Sequence, residues 1–168
     1  KTIKEKNEPA FSTPAAEAFS ELARLSGNKL IYSENVDGII PSIEVILTPK
    51  KHKNLDVVFV IDATESMKDD IQKIRELLAA SLKKVLPKYD SYRIGLVLYK
   101  DYYDDFLTKT ASDFTSDIDR FSAALRSFSV FGGRDIPEAV YEGIDAGLDL
   151  EWRTDKDTDR RLILIGDA

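Results

Sequence analysis

The chain has 168 residues, 43% hydrophobic and 32% charged, enough for one ordinary domain with its own core. With 30 acidic against 24 basic residues the net charge is −6, which argues against a general nucleic-acid binder, because that function needs a basic face. There is no cysteine, hence no disulfide framework or thiolate metal site, and no apolar run approaches the ~20 residues of a membrane span.

Lys1–Pro14 is polar and reads as an extended entry. The first residue is Lys1 rather than Met, so the chain reads as a fragment of a longer product. Ala15–Ser26 carries Ala18, Phe19, Leu22, Ala23 and Leu25 at helical spacing, begins at Thr13-Pro14 and stops at Gly27. Lys29–Ser33 reads as a short strand, and Ile39–Leu47, with Pro41 near its start, as strand or helix. Pro49–Lys53 is a basic linker. Residues 1–50 are therefore expected to be a separate N-terminal segment packing on a main domain over 51–168.

Val57–Ile61 is a short, β-branched apolar run, read as a buried parallel strand. Met67–Leu86 follows as a helix, with Ile71, Ile74, Leu77, Leu78, Leu82 and Val85 on one stripe and Ser66 as its N-cap. Tyr92–Lys100 is a second buried strand, completing a βαβ unit. Asp101–Asp105 reads as a solvated acidic turn and Phe106–Thr110 as a short edge strand. Ser116–Phe128 is a short helix with Ile118, Phe121, Leu125 and Phe128 inward. Ile136–Leu150 is another, with Ile136, Val140, Ile144 and Leu148 every fourth residue and Gly143 and Gly147 one face over, where close packing on a sheet is allowed. Leu162–Ile165 is a third buried strand, ending at Gly166-Asp167.

Asp62, Thr64 and Ser66 stand at alternate positions at the carboxyl end of the first strand. In open α/β sheets that edge is where ligands bind, and three hard oxygens suit Mg²⁺, Ca²⁺ or Mn²⁺. Asp62-x-Thr64-x-Ser66 resembles the metal-ion-dependent adhesion site of von Willebrand factor A domains, Asp-x-Ser-x-Ser; Thr64 keeps the hydroxyl, and Glu65 stands where glycine is frequent. Gly132-Gly133-Arg134-Asp135-Ile136-Pro137-Glu138-Ala139 resembles the Gly-Gly-x-Asp-x-Pro-Glu-Ala loop of a subgroup common in bacteria, and Leu162–Asp167 the third loop. Lys100-Asp101 is similar to a basic–Asp pair that follows the family's second strand.

The resemblance covers roughly residues 55–168 and implies an α/β fold, a doubly wound, mostly parallel sheet flanked by helices, with its last strands and helices expected beyond Ala168. It implies that Asp62, Thr64, Ser66, Asp135 and Asp167 hold a divalent cation, Mg²⁺ first and Ca²⁺ or Mn²⁺ otherwise. Three carboxylates gathered without a basic residue would repel one another, and a cation removes that cost. The function implied is a non-enzymatic adhesion or assembly module whose metal accepts a Glu or Asp of a partner protein. No nucleic acid and no membrane insertion enter, and the setting expected is extracellular, cell-surface or periplasmic. Phe131 and Tyr99 are candidate rim residues. Two alternatives stand beside this reading. One is a haloacid-dehalogenase-like Mg²⁺ phosphatase, against which Thr64 occupies the place of the general-acid aspartate. The other is a structural domain with an inactive metal site.

Overall fold

The computed structural model describes residues 20–21, 23–25, 30–31, 33, 36–49, 51–102, 104–132 and 139–166. Its organising strand is β1, Asn54–Asp62, buried on both faces, which is why Val57–Ile61 runs apolar without alternation. β2 (Ser91–Tyr99) and β4 (Thr158–Ile165) flank it in parallel, and β3 (Thr108–Thr115) pairs antiparallel with β2, so the sheet order is β3-β2-β1-β4. This is the expected α/β arrangement with helices on both faces of a mostly parallel sheet.

Alternate residues of β1 serve two cores. Val57, Phe59 and Ile61 join a cluster with helices α1 (Val36–Leu47), α2 (Lys68–Val85) and α3 (Ile118–Ser127). Val58 and Val60 face the other side, where α4 (Val140–Leu148) lies across the strands with Phe114 and Trp152 nearby. The α2 stripe is buried as its spacing requires, with Ile71, Ile74, Leu78, Leu82 and Val85 inward.

Several expectations change. Residues 30, 31 and 33 are not in a strand, while the stretch around Pro41 is helical from Val36. Pro41 lies inside α1 on its exposed side, supplying no N–H to the turn before it. α1 buries Val36, Ile40, Ile43 and Leu47 in the same core, and the Tyr89 hydroxyl donates to the Leu47 carbonyl at 2.9 Å. The edge strand runs over Thr108–Thr115 rather than Phe106–Thr110. Asp117 caps α3, its Oδ1 accepting from the N–H groups of Asp119 and Arg120 at 2.9 and 3.0 Å. In β4, Leu162, Ile163 and Leu164 are only half-buried, because no described strand pairs with its outer edge.

Candidate metal centre

The parallel register brings Asp62 level with Tyr99 and Ile61 level with Ile165, so β1, β2 and β4 end together. Asp62 is fully buried at that edge. Its Oδ1 accepts from both the backbone N–H and the hydroxyl of Thr64, each at 2.7 Å, and the Thr64 and Ser66 hydroxyl oxygens lie 2.8 Å apart. One carboxylate and two hydroxyls thus form a continuous chain of hard oxygens within a single turn, a donor set that fits a cation such as Mg²⁺.

Neither hydroxyl caps a helix. A 3₁₀ turn, Glu65–Met67, precedes α2; Thr64 is its N-cap residue without a side-chain cap bond, and Met67 holds that position for α2. The expected N-cap role of Ser66 is therefore corrected: Ser66 is exposed, with its hydroxyl beside Thr64. Glu65 opens the turn in a right-handed conformation open to any side chain, so the glycine frequent there in the family pattern is not required.

Asp135 and Asp167 lie outside the described residues. Their described neighbours reach the Asp62 loop. The Glu65 N–H donates to the Gly132 carbonyl at 3.2 Å, and the Phe131 N–H to that of Ala63 at 3.4 Å. A Cβ at Gly166 would lie 3.6 Å from the Asp62 Cβ and would collide with the Tyr99 hydroxyl. Gly132 has a φ of 86°, a left-handed backbone, and a Cβ there would meet the Asp104 carboxylate. Among the described residues no three acidic or imidazole side chains gather around one point.

The surroundings differ from the sequence reading in two places. Tyr99 is fully buried and cannot be a rim residue, whereas Phe131 is 48% exposed. The acidic turn is partly engaged rather than merely solvated: Asp101 is buried, and Asp105 accepts from the Lys100 amine at 2.8 Å, which holds the Asp105 carboxyl below its ordinary range. Lys100, completely buried beneath the Phe131 ring, was legible in the sequence only as half of a basic–Asp pair.

A family model for the von Willebrand factor A domain matches residues 56–154. The chain belongs to the von Willebrand factor A domain family. The vWF domain of the type V pili tip protein Mfa5 from Porphyromonas gingivalis is similar in structure, with a TM-score of 0.55 and 26% identity over 70% of this chain and 38% of that one. The alpha-protein kinase vwkA of Dictyostelium discoideum is 30% identical over 126 residues, which is 68% of this chain and 18% of the kinase. An ariadne-like RING finger protein of Acanthamoeba polyphaga mimivirus is 31% identical over 51% of this chain and 8% of its own length. This von Willebrand factor A domain thus spans less than a fifth of the curated relatives it matches. Domains of this family commonly mediate protein–protein interaction. No helix among the described residues is long and apolar enough to cross a membrane.

Proposed function

We propose that this von Willebrand factor A domain is a metal-dependent protein-binding module with a metal-ion-dependent adhesion site of the Gly-Gly-x-Asp-x-Pro-Glu-Ala, bacterial-type subgroup. The observation that carries it is the oxygen chain Asp62–Thr64–Ser66, in which the Thr64 hydroxyl donates to the Asp62 carboxylate and the Ser66 hydroxyl lies against that of Thr64. Asp62, Thr64 and Ser66 would hold Mg²⁺, Ca²⁺ or Mn²⁺, with Asp135 and Asp167 supplying further oxygens directly or through water. The metal would supply an electrophilic position for a Glu or Asp of a partner protein, and half-exposed Phe131 would meet apolar partner atoms at its rim. The pilus-tip relative supports an extracellular or cell-surface setting for that binding.

Thr64 supports binding over the phosphatase reading. A hydroxyl in that place cannot protonate a leaving group as a carboxylic acid can. The kinase relative does not alter this, since the match covers 18% of that protein.

Calorimetric titration of Mg²⁺, Mn²⁺ and Ca²⁺ into chelator-treated protein tests the centre. Heat of binding is expected for at least one metal at millimolar concentration or below, with affinity weakened more than about tenfold by Asp62→Ala. Folded protein that takes up no metal would remove the proposal, as would an Asp62→Ala variant of unchanged affinity. Turnover of an aryl phosphate with Mg²⁺, abolished by Asp62→Asn, would favour the phosphatase.

A further inference from the structure

We infer that Lys100 is a positioning residue for this metal centre, gripping both described ends of the Phe131–Ala139 segment and through Phe131 holding the Asp62–Ser66 loop in place. The inference rests on the metal centre proposed above. It starts from an anomaly of burial. The Lys100 side chain has no exposed surface, although a methionine would fill similar volume without the cost of desolvating an amine. Contacts to Asp105 and to two aromatic rings offset that cost.

Those contacts are specific. The amine donates to Asp105 Oδ1 at 2.8 Å, lies 3.3 Å from the centre of the Phe131 ring and 5.0 Å from that of Phe106. The cation–π contact reaches the segment's first end. The backbone reaches the other: the Lys100 carbonyl accepts from the Ala139 N–H at 2.9 Å, while the Lys100 N–H donates to the Leu107 carbonyl at 3.0 Å. Asp135 stands midway between Phe131 and Ala139 in the sequence.

From Phe131 the connection runs directly into the centre. The Phe131 N–H donates to Ala63 and the Gly132 carbonyl accepts from Glu65, the two residues that bracket Thr64. Phe131 is 48% exposed, so solvent exclusion alone holds the ring weakly, and the buried amine beneath it supplies the missing anchor. Lys100 touches none of the expected metal ligands through any of these contacts. It acts on them through the loop it pins.

The test compares Lys100→Met, Lys100→Arg and Phe131→Leu with the parent protein. Hydrogen exchange at residues 65 and 131, whose N–H groups join the two loops, is followed in chelator, and Mg²⁺ and Mn²⁺ affinity by calorimetry. Lys100→Met is expected to speed exchange at those amides and to weaken metal binding about tenfold, with Lys100→Arg recovering part of both. Phe131→Leu, at a half-exposed position that folding tolerates, should move both readings the same way, and the double variant should bind no more weakly than Lys100→Met alone. Should Lys100→Met fail to fold, Phe131→Leu and Lys100→Arg carry the comparison. A purely structural lysine would lower thermal stability while leaving metal affinity within about twofold of the parent, and that result overturns the inference. Unchanged exchange in metal-free Lys100→Met protein overturns the role of Lys100 alone, without touching the metal centre. Absence of metal binding by the parent removes the centre, and the inference with it.

Discussion

Asp56 and Asp62 are both fully buried on β1, and their hydrogen bonds come from different kinds of group. Arg93 donates to Asp56 through Nε at 3.0 Å and Nη2 at 2.5 Å, and Arg153 through its Nε and backbone N–H, each at 2.8 Å. Burial pushes the Asp56 carboxyl up, but the bonds from the two arginines together outweigh it and hold the group below its ordinary value of 3.8. A depressed carboxyl stabilises the fold above its unfolded pKa and loses that contribution as pH falls through the folded one. Asp56→Asn should therefore cost about 3 kcal/mol at neutral pH, the low end for a broken buried pair because both arginines are partly exposed and can rehydrate. The difference from the parent should shrink below about pH 4, as measured by urea unfolding across pH. A difference independent of pH would contradict this account. Asp62 instead accepts from the Thr64 hydroxyl and amide, each at 2.7 Å.

At the scale of elements, α4 shows how a face is chosen. The sequence offers two faces, the aliphatic stripe Val140, Ile144 and Leu148 and the glycine pair Gly143 and Gly147; Leu148 is 58% exposed, while both glycines are buried. A Cβ on Gly143 would lie 3.0 Å from the Tyr99 Cβ and 3.1 Å from Val60 Cγ1. On Gly147 it would lie 2.9 Å from Leu162 Cδ1. The helix comes down on its glycines because the sheet face beneath already carries Val58, Val60, Val97 and Tyr99, leaving no depth for a second aliphatic layer. Trp152 closes the end, donating to the Gly147 carbonyl at 3.0 Å and meeting Phe114 edge-on. Gly143→Ala gains about 1 kcal/mol of helix propensity but overpacks by more, so a net loss of about 1 kcal/mol is expected in denaturant unfolding. Gly143→Val should cost about 3 kcal/mol, the upper end for inserted methyl groups. Stabilisation by either would mean that α4 slides freely on the sheet.

For the whole molecule, the Asp62–Ser66 loop connects to helices on both faces of the sheet, the route by which the proposed binding would be transmitted. Ser66 leads through one 3₁₀ turn into α2, and Ala139 leads into α4 on the opposite face. Arg75, on α2, donates to the carbonyls of Leu125 and Phe128, tying that helix to the start of the loop at Ser129. Under the proposed function, a partner carboxylate would add negative charge beside Asp62, Thr64 and Ser66, and with a few kcal/mol between loop arrangements that change would bias both helices. Hydrogen exchange over Ser129–Gly132 and Ala139–Val140 should then change more with Mg²⁺ plus an acidic peptide than with Mg²⁺ alone. Equal protection in the two conditions would leave a static clip.

Local chemistry wrote much of this molecule into its sequence. A strand buried on both faces must be apolar throughout, a helix with one buried face must repeat every three to four residues, and an oxygen triplet at a strand end is visible as Asp62-x-Thr64-x-Ser66. What remained illegible depends on neighbours far along the chain. The start of β3 is decided by pairing with β2, and the half-exposure of β4 by which strands stand beside it. Phe131 and Tyr99 look alike in the sequence as aromatic residues beside the motifs, but Tyr99 ends a central strand under α4 while Phe131 rides a loop over Lys100. The spacing of Gly143 and Gly147 marked a face of α4 that can pack closely on a sheet, but the exposure of Leu148 and the burial of Lys100 were settled by the space and partners that other elements left.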